Sequence, residues 1–233
     1  MKKKIIWCLI LGVFLSVSLT SAYIFGVLYP NQIRQEKWQI AMQKYYDDKV
    51  ASFELENVSI SPFDVDVAFL GDSLTDFYDL NAFYPQYTTA NRGIGGDTTF
   101  GLEKRLKVSV YDIQPKVVCM LIGANNLDTM FENYESILIG LKENLPSTKI
   151  VLLSLTSMGK DWAKNNKKAS FNNVKIKLLA QKYGFEFVDL FSPLFDLEKN
   201  EIKSEYTTDG GHFTQAGYQV ITDTITPVLE NLL

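Results

Sequence analysis

Short apolar runs alternate with helical patterns along most of this chain, and this alternation constrains the fold more than any other feature. Five β-rich runs are predicted as strands at residues 65–70, 87–92, 116–122, 149–155 and 185–190. Helical spacing follows at residues 98–111, 132–145, 165–183 and 214–232. Two of the runs are apolar throughout, as expected of strands that are buried on both faces. We therefore predict a parallel sheet built from βαβ units, with helices on both faces.

Composition and charge narrow the classes of protein that this chain can belong to. Of its 233 residues, 46% are hydrophobic and 21% are charged, which argues against a disordered chain, a collagenous repeat or an extended coiled coil. The formal charge is -4, and residues 31–233 contain 20 basic against 27 acidic side chains. A binder of nucleic acid or of another polyanion is therefore disfavoured.

The first 30 residues have the pattern of a membrane segment. Lys2–Lys4 precede the uncharged stretch Ile5–Leu28, which as a helix is long enough to cross a bilayer. The lysines should stay in the cytoplasm, which places everything after Pro30 outside, on a single-pass anchor. The alternative is a cleaved signal peptide, with small residues at Thr20-Ser21-Ala22 where a peptidase could cut, and a secreted domain.

Three segments are predicted in order along the chain. Residues 1–30 are the membrane anchor or signal peptide, residues 31–62 a juxtamembrane helix and linker, and residues 63–233 the α/β domain. The two cysteines, Cys8 and Cys119, are not expected to pair, because the first lies in the predicted membrane segment. Cys119 is expected to be a small buried side chain rather than a nucleophile.

Polar or glycine-rich segments follow the predicted strands at four places. They are GDSLT at 71–75, NRGIGGDT at 91–98, GANN at 123–126 and DGGH at 209–212. In open α/β sheets, ligands bind outside the carboxyl ends of the strands. The four segments therefore bring a hydroxyl, a flexible backbone, an amide and an Asp/His pair to one edge of the sheet.

These residue types suit nucleophilic catalysis. The hydroxyl of Ser73 is a weak nucleophile until a base removes its proton, and His212, the only histidine, carries the imidazole suited to that role near neutrality. Asp209 can hydrogen-bond the far ring nitrogen and stabilise the imidazolium. The amides of Ser73 and Gly96 and the side-chain amide of Asn125 are candidate donors to an oxyanion.

Each segment also has an ordinary structural explanation when it is taken alone. Gly71-Asp72-Ser73 could be a turn with a helix N-cap, Asn125 could close a turn, and Asp209-Gly210-Gly211 could be a tight turn. The glycines at 93–96 could bind phosphate, but the segment lacks the third glycine of the dinucleotide fingerprint and the lysine of a P-loop. The occurrence of all four at strand ends favours a catalytic site.

With these four blocks the chain resembles the SGNH/GDSL hydrolase family over roughly residues 64–233. The resemblance implies a flavodoxin-like three-layer α/β/α sandwich with a five-stranded parallel sheet of order 2-1-3-4-5, here preceded by the predicted transmembrane helix. By position, Ser73 matches the family's nucleophile and also supplies an oxyanion-hole amide. Gly96 and Asn125 match the other oxyanion-hole donors, and Asp209 and His212 match the Asp-x-x-His pair. In one departure, Asn126 stands where the family commonly has an aspartate, which bears on the bracing of that loop.

The expected activity is therefore hydrolysis of carboxylic esters by a Ser-His-Asp triad, with no metal or cofactor. Candidate substrates are short acyl or O-acetyl groups of carbohydrates or lipids at the cell envelope. An O-acyltransferase acting on envelope glycans, a lysophospholipase-like lipid hydrolase and a non-catalytic binding module on a membrane stalk are the alternatives. No nucleic-acid partner is expected.

Two further features bear on the substrate. Four aromatic residues are candidates to line an acyl or sugar pocket, although aromatic side chains more often belong to the core: Tyr78, Phe83, Trp162 and Phe213. Residues 157–170 form a basic insertion with four lysines, Lys160, Lys164, Lys167 and Lys168. The insertion could be a solvated loop, or it could attract an anionic substrate or lipid headgroups.

Overall fold

The computed structural model describes residues 28–233, together with Tyr23 and Gly26. The predicted anchor at residues 1–30 therefore lies almost entirely outside the described residues. None of the helices in the described part is both long enough and apolar enough to span a membrane. Contacts along the backbone divide the chain into two units, with the division after Asp47.

A long helix, α1, covers Tyr29–Asn57, in the part of the chain where the sequence predicts a juxtamembrane helix and a linker over residues 31–62. Its last turns belong to the second unit. There Phe53 is buried, and the Arg92 guanidinium lies 4.7 Å from the centre of its ring. Arg92 also donates hydrogen bonds to the side chains of Glu56 and Asn57. The end of α1 is thereby fixed against an edge strand of the sheet that follows.

Five parallel strands form the sheet of the second unit. They are β1 (Val67–Gly71), β2 (Thr89–Gly93), β3 (Val117–Leu121), β4 (Lys149–Leu153) and β5 (Glu186–Val188). Their order is β2-β1-β3-β4-β5, and each neighbouring pair is parallel. The structure thus confirms the predicted sheet and its order. Two neighbouring interior strands, β1 and β3, are buried along their whole length, which explains their uninterrupted apolar sequences.

Helices connect the strands and cover both faces. They are α2 (Ser73–Asp76), α3 (Leu80–Phe83), α4 (Thr99–Leu106), α5 (Tyr134–Asn144), α6 (Asn166–Tyr183), α7 (Phe191–Leu194) and α8 (Gln215–Leu232). The pattern predicted one helix over 98–111, but α4 ends at Leu106 and a π-helical turn continues over Lys107–Tyr111. A small antiparallel hairpin, β6 (Phe195–Asp196) with β7 (Glu201–Ile202), has no counterpart in the predicted elements.

Two hydrophobic clusters lie on opposite faces of the sheet. Alternate side chains of β1 enter different clusters: Ala68 and Leu70 join the cluster under α4, α5 and α6, whereas Val67 and Phe69 join the cluster under α3 and α8. This division gives the layered α/β arrangement expected for the domain. Cys119 lies buried in the second cluster, as predicted, and burial raises the pKa of its thiol.

Candidate active site

The turn after β1 presents Ser73 at the carboxyl edge of the sheet. Asp72 caps α2, since its side chain accepts a hydrogen bond from the Leu74 amide at 3.0 Å. The turn is too tight for a side chain at Gly71, where a Cβ would lie 2.4 Å from the carbonyl oxygen of Leu121. Ser73 is the first residue of α2, so its amide is one of those that the helix itself leaves unbonded.

Ser73, His212 and Asp209 form a continuous hydrogen-bonded relay. The hydroxyl oxygen of Ser73 lies 3.1 Å from Nε2 of His212, although 139 positions separate the two residues. On the other side of the ring, Nδ1 lies 2.7 Å from Oδ2 of Asp209. The other carboxylate oxygen accepts hydrogen bonds from the amides of Gly211 and His212. The structure therefore brings together the three residues that the sequence singled out.

The surroundings of Asp209 keep it ionised. Partial burial raises the pKa of its carboxyl group, but the hydrogen bonds from the His212 ring and from the amides of His212 and Gly211 outweigh this and lower the pKa to about 2. A carboxylate facing Nδ1 favours the tautomer that carries its hydrogen there. The lone pair on Nε2 of His212 then points to the Ser73 hydroxyl.

The candidate oxyanion donors lie in neighbouring loops. The side-chain nitrogen of Asn125 donates to the backbone carbonyl of Asp97 at 2.8 Å, which fixes the amide while its second N–H remains for a ligand. Gly96 precedes Asp97 and has a φ of 78°, in the left-handed region that favours glycine. Ser73 and Asn125 line one cavity with His212, whereas Gly96 is exposed and does not line it.

A buried arginine that the sequence analysis missed holds these loops together. Arg105, on α4, donates to the carboxylate of Asp97 at 2.8 Å and to the carbonyls of Arg92 and Gly71 at 2.8 and 2.9 Å. It thus connects the ends of β1 and β2 to the loop that carries Gly96. Burial raises the pKa of the Asp97 carboxyl group, although the charge of Arg105 opposes this. A signal was present in the sequence, because Arg105 falls on the inward face of a helix whose neighbouring positions are apolar.

Asn126 braces the loop after β3. Its side-chain nitrogen donates to the Thr99 hydroxyl at 2.9 Å, and its side-chain oxygen accepts from the Thr99 amide at 3.3 Å. These bonds connect the GANN segment to the start of α4. An asparagine at this position therefore supplies both a donor and an acceptor to the loop.

Asp72 is a buried carboxyl group directly beside Ser73. One oxygen bonds the Leu74 amide, and the other has no hydrogen-bond partner among the described residues. Burial raises its pKa to about 7; the charge of Asp97 adds to the increase, while the Leu74 amide, His212 and Arg105 oppose it. The charged form of Asp72 is therefore poorly accommodated.

A cavity of about 80 Å³ opens at the relay. Its lining residues are Asp72, Ser73, Leu74, Ala124, Asn125, Thr156, Met158, Trp162, Gly211 and His212. Of the four aromatic candidates, Trp162 alone lines it; Tyr78 and Phe213 belong to the buried core, and Phe83 packs against that core. No group of three or more His, Cys, Asp and Glu side chains within the described residues is arranged to hold a metal ion.

The fold and this site define an α/β protein with a hydroxyl–imidazole–carboxylate relay at the carboxyl edge of its parallel sheet. The chain belongs to the GDSL-like lipase/acylhydrolase family, whose model matches residues 69–220. Membership in this family identifies the chain as a hydrolase of ester bonds. A comparison with curated proteins gave no match.

Solved structures share this fold. A Streptococcus pneumonia protein provisionally described as a platelet activating factor is 26% identical, with a TM-score of 0.77 over 85% of this chain and 99% of that chain. A provisionally assigned acylhydrolase from Bacteroides fragilis NCTC 9343 is 25% identical, with a TM-score of 0.69 over 77% of this chain and 94% of that chain. An acetylxylan esterase from Geobacillus stearothermophilus is 20% identical, with a TM-score of 0.59 over 72% of this chain and 95% of that chain. At this identity the similarity supports the fold alone.

Proposed function

We propose that this chain is a serine esterase that removes short acyl groups from carbohydrate or lipid esters, with Ser73 as nucleophile, His212 as general base and Asp209 as the group that orients the imidazole. The observation that carries the proposal is the 3.1 Å contact between the Ser73 hydroxyl oxygen and Nε2 of His212. This distance is within the range for proton transfer between a nucleophile and its base.

The reaction proceeds in two acyl-transfer steps. The Ser73 oxygen attacks the ester carbonyl carbon while Nε2 of His212 takes the hydroxyl proton. The resulting oxyanion is held by the Ser73 amide and the side-chain N–H of Asn125, which both line the cavity, and the amide of Gly96 in the neighbouring loop is the third candidate donor. The carbon–oxygen bond to the alcohol breaks, and the alcohol leaves with the proton from His212. Water then attacks the acyl-enzyme, His212 accepts its proton, and the carboxylic acid is released as Ser73 regains its hydrogen.

The size of the cavity limits the acyl group. The cavity that Ser73 lines is small, at about 80 Å³, and it opens to solvent. That space accommodates an acetyl group or one slightly larger, whereas a long acyl chain would have to extend out of the cavity. We therefore favour O-acetyl and other short-chain esters over long-chain lipids.

The proposed location is the outer face of the cell membrane, with a secreted domain as the alternative. Its support is the sequence pattern of Lys2–Lys4 followed by the apolar stretch Ile5–Leu28. At that location, esters of envelope glycans and of lipids are both accessible substrates.

The test compares Ser73→Ala with the parent chain on p-nitrophenyl esters of increasing acyl length. The substitution should lower kcat/KM for the acetyl ester by about 10⁴-fold or more, because it removes the attacking oxygen. Ser170→Ala, at an exposed position on α6, is the matched control and should leave the rate unchanged. Hydrolysis by Ser73→Ala at the parent rate would refute the proposed nucleophile, and equal rates on acetyl and long-chain esters would refute the size limit.

A further inference from the structure

Helix α6 is apolar on two opposite faces. Its inward face packs on the sheet through Ala169, Ile176 and Leu179, which are all buried. Its outward face carries three exposed apolar residues at helical spacing: Phe171, Val174 and Leu178, which we call the α6 stripe. Their exposed fractions are 67%, 59% and 59%. Single exposed apolar residues are common, but three in a row on one helix face suggest an interaction surface.

The α6 stripe is flanked by positive charge. The helix contains five lysines and no acidic residue. Helical spacing places Lys168, Lys175 and Lys182 along one side of the stripe, Lys177 along the other, and Lys167 at its start. Asp128 and Glu135 pair with Lys168 and Lys182, respectively, so the surface keeps a net positive charge.

Two of these lysines extend the apolar surface at the same time. The Lys175 ammonium lies 4.0 Å from the centre of the Phe131 ring, and that of Lys177 lies 5.9 Å from the centre of the Phe187 ring. Such side chains cover apolar surface with their stems and keep the charge at the boundary with water. The α6 stripe with its bordering lysines is therefore suited to a partner that is apolar inside and anionic at its surface.

We propose that the α6 stripe docks on a lipid bilayer that contains anionic phospholipid. An exposed apolar stripe bordered by lysines is the pattern of a helix that lies in the membrane interface, with its apolar side chains among the acyl chains and its lysines at the headgroups. The five lysines of this helix contrast with the chain as a whole, which has a formal charge of -4.

This orientation relates the bilayer to the cavity at Ser73. Trp162 lines that cavity, is half exposed, and lies in the 3₁₀ turn Lys160–Asn165 that leads directly into α6. Docking of the α6 stripe would bring the mouth of the cavity close to the lipid surface. In this proposal, the basic insertion at residues 157–170, whose last five residues lie in α6, forms the beginning of this surface.

The experiment places an environment-sensitive fluorophore on the α6 stripe of the full chain. Val174→Cys is labelled in a Cys8→Ser background; the remaining cysteine, Cys119, is buried and its thiol pKa is raised, so it does not compete for the label. The labelled protein is reconstituted into nanodiscs of phosphatidylcholine alone or of an equimolar mixture with phosphatidylglycerol. A matched label at Gln219, exposed on α8 across the sheet, is the control.

In the anionic nanodiscs, emission from position 174 should shift to shorter wavelength and lose most of its quenching by aqueous iodide, whereas emission from position 219 should not change. Adding Phe171→Ser and Leu178→Ser should abolish the shift. Leu197→Ser, which replaces an exposed apolar residue in the β6–β7 hairpin, should not.

An unshifted label at position 174, or an equal shift without phosphatidylglycerol, would overturn the proposal. A shift that requires no lipid and grows with protein concentration would instead identify a second copy of the chain as the partner. These measurements do not involve ester hydrolysis, so they are independent of the proposed esterase activity.

Discussion

Replacement of Asp72 by asparagine should change how the stability of this protein depends on pH. The carboxyl group is buried beside Ser73, and its pKa is raised from 3.8 to about 7. Because the folded state binds this proton more tightly than the unfolded state, the ionisable side chain makes the fold less stable as pH rises from about 4 towards 8. Asparagine keeps the acceptor for the Leu74 amide and cannot ionise.

The magnitude follows from the two titrations. Raising the pKa of Asp72 from 3.8 to about 7 lowers the free energy of unfolding of the parent protein by about 4 kcal/mol at pH 8. The same relation gives a loss of about 2 kcal/mol at pH 5. The difference in unfolding free energy between Asp72→Asn and the parent should therefore increase by 2–3 kcal/mol or so over this range. A difference in stability between asparagine and protonated aspartate that does not depend on pH cancels, because only the change with pH is compared.

Urea unfolding of both full-length proteins in the same detergent, followed by circular dichroism at several pH values, measures this difference. Asp66→Asn is the control of opposite sign. Partial burial raises the pKa of Asp66, but hydrogen bonds from Lys116 and the Thr88 amide lower it overall. Its carboxylate therefore contributes stability that is present above the unfolded-state pKa and is lost as pH falls. Parallel stability–pH curves for Asp72→Asn and the parent would refute the assignment of a raised pKa to Asp72.

Three other substitutions test the site and the core. Asn125→Ala should lower kcat on p-nitrophenyl acetate by about 10²–10³-fold with an unchanged circular dichroism spectrum, since one oxyanion donor is lost; unchanged kcat would contradict that role. Arg105→Lys should lower the unfolding free energy measured in urea by about 3–5 kcal/mol, because lysine cannot donate at once to the Asp97 carboxylate and to both strand-end carbonyls. A loss below about 1 kcal/mol would show that these hydrogen bonds do not stabilise the fold. Tyr134→Phe removes a buried hydroxyl that has no acceptor among the described residues, so stability should be unchanged or higher; a loss above about 1 kcal/mol would reveal a bonded hydroxyl.

The sheet and the relay could be predicted from the sequence because both leave local signals. Strands buried on both faces appear as uninterrupted apolar runs, and a parallel sheet brings the segments after its strands to one edge. The chain has a single histidine, so the base could be assigned without a choice between candidates. The contact between Ser73 and His212 then follows from topology, although the two lie far apart along the chain.

The features that escaped prediction depend on contacts between distant residues. The apolar neighbours of Arg105 on its helix indicate that it faces inward, but nothing local indicates that its hydrogen bonds go to the ends of two strands. The sequence could not show which of the four aromatic candidates line the cavity and which belong to the core, because it does not show where a side chain points in the fold. The outward stripe on α6 was hidden for a similar reason, since apolar residues on both faces obscure the usual one-sided periodicity.

The end of α1 has a consequence for the design of shorter proteins. Lys49 donates to Asp76 at 2.9 Å, and the other oxygen of Asp76 accepts from the Gly95 amide at 2.8 Å, next to Gly96. A truncation that starts at residue 63 would delete Lys49 and would also strip the buried Arg92 of its acceptors on the helix. Expression of the catalytic unit by itself therefore calls for a start point upstream of Lys49, so that the glycine-rich loop keeps its anchorage.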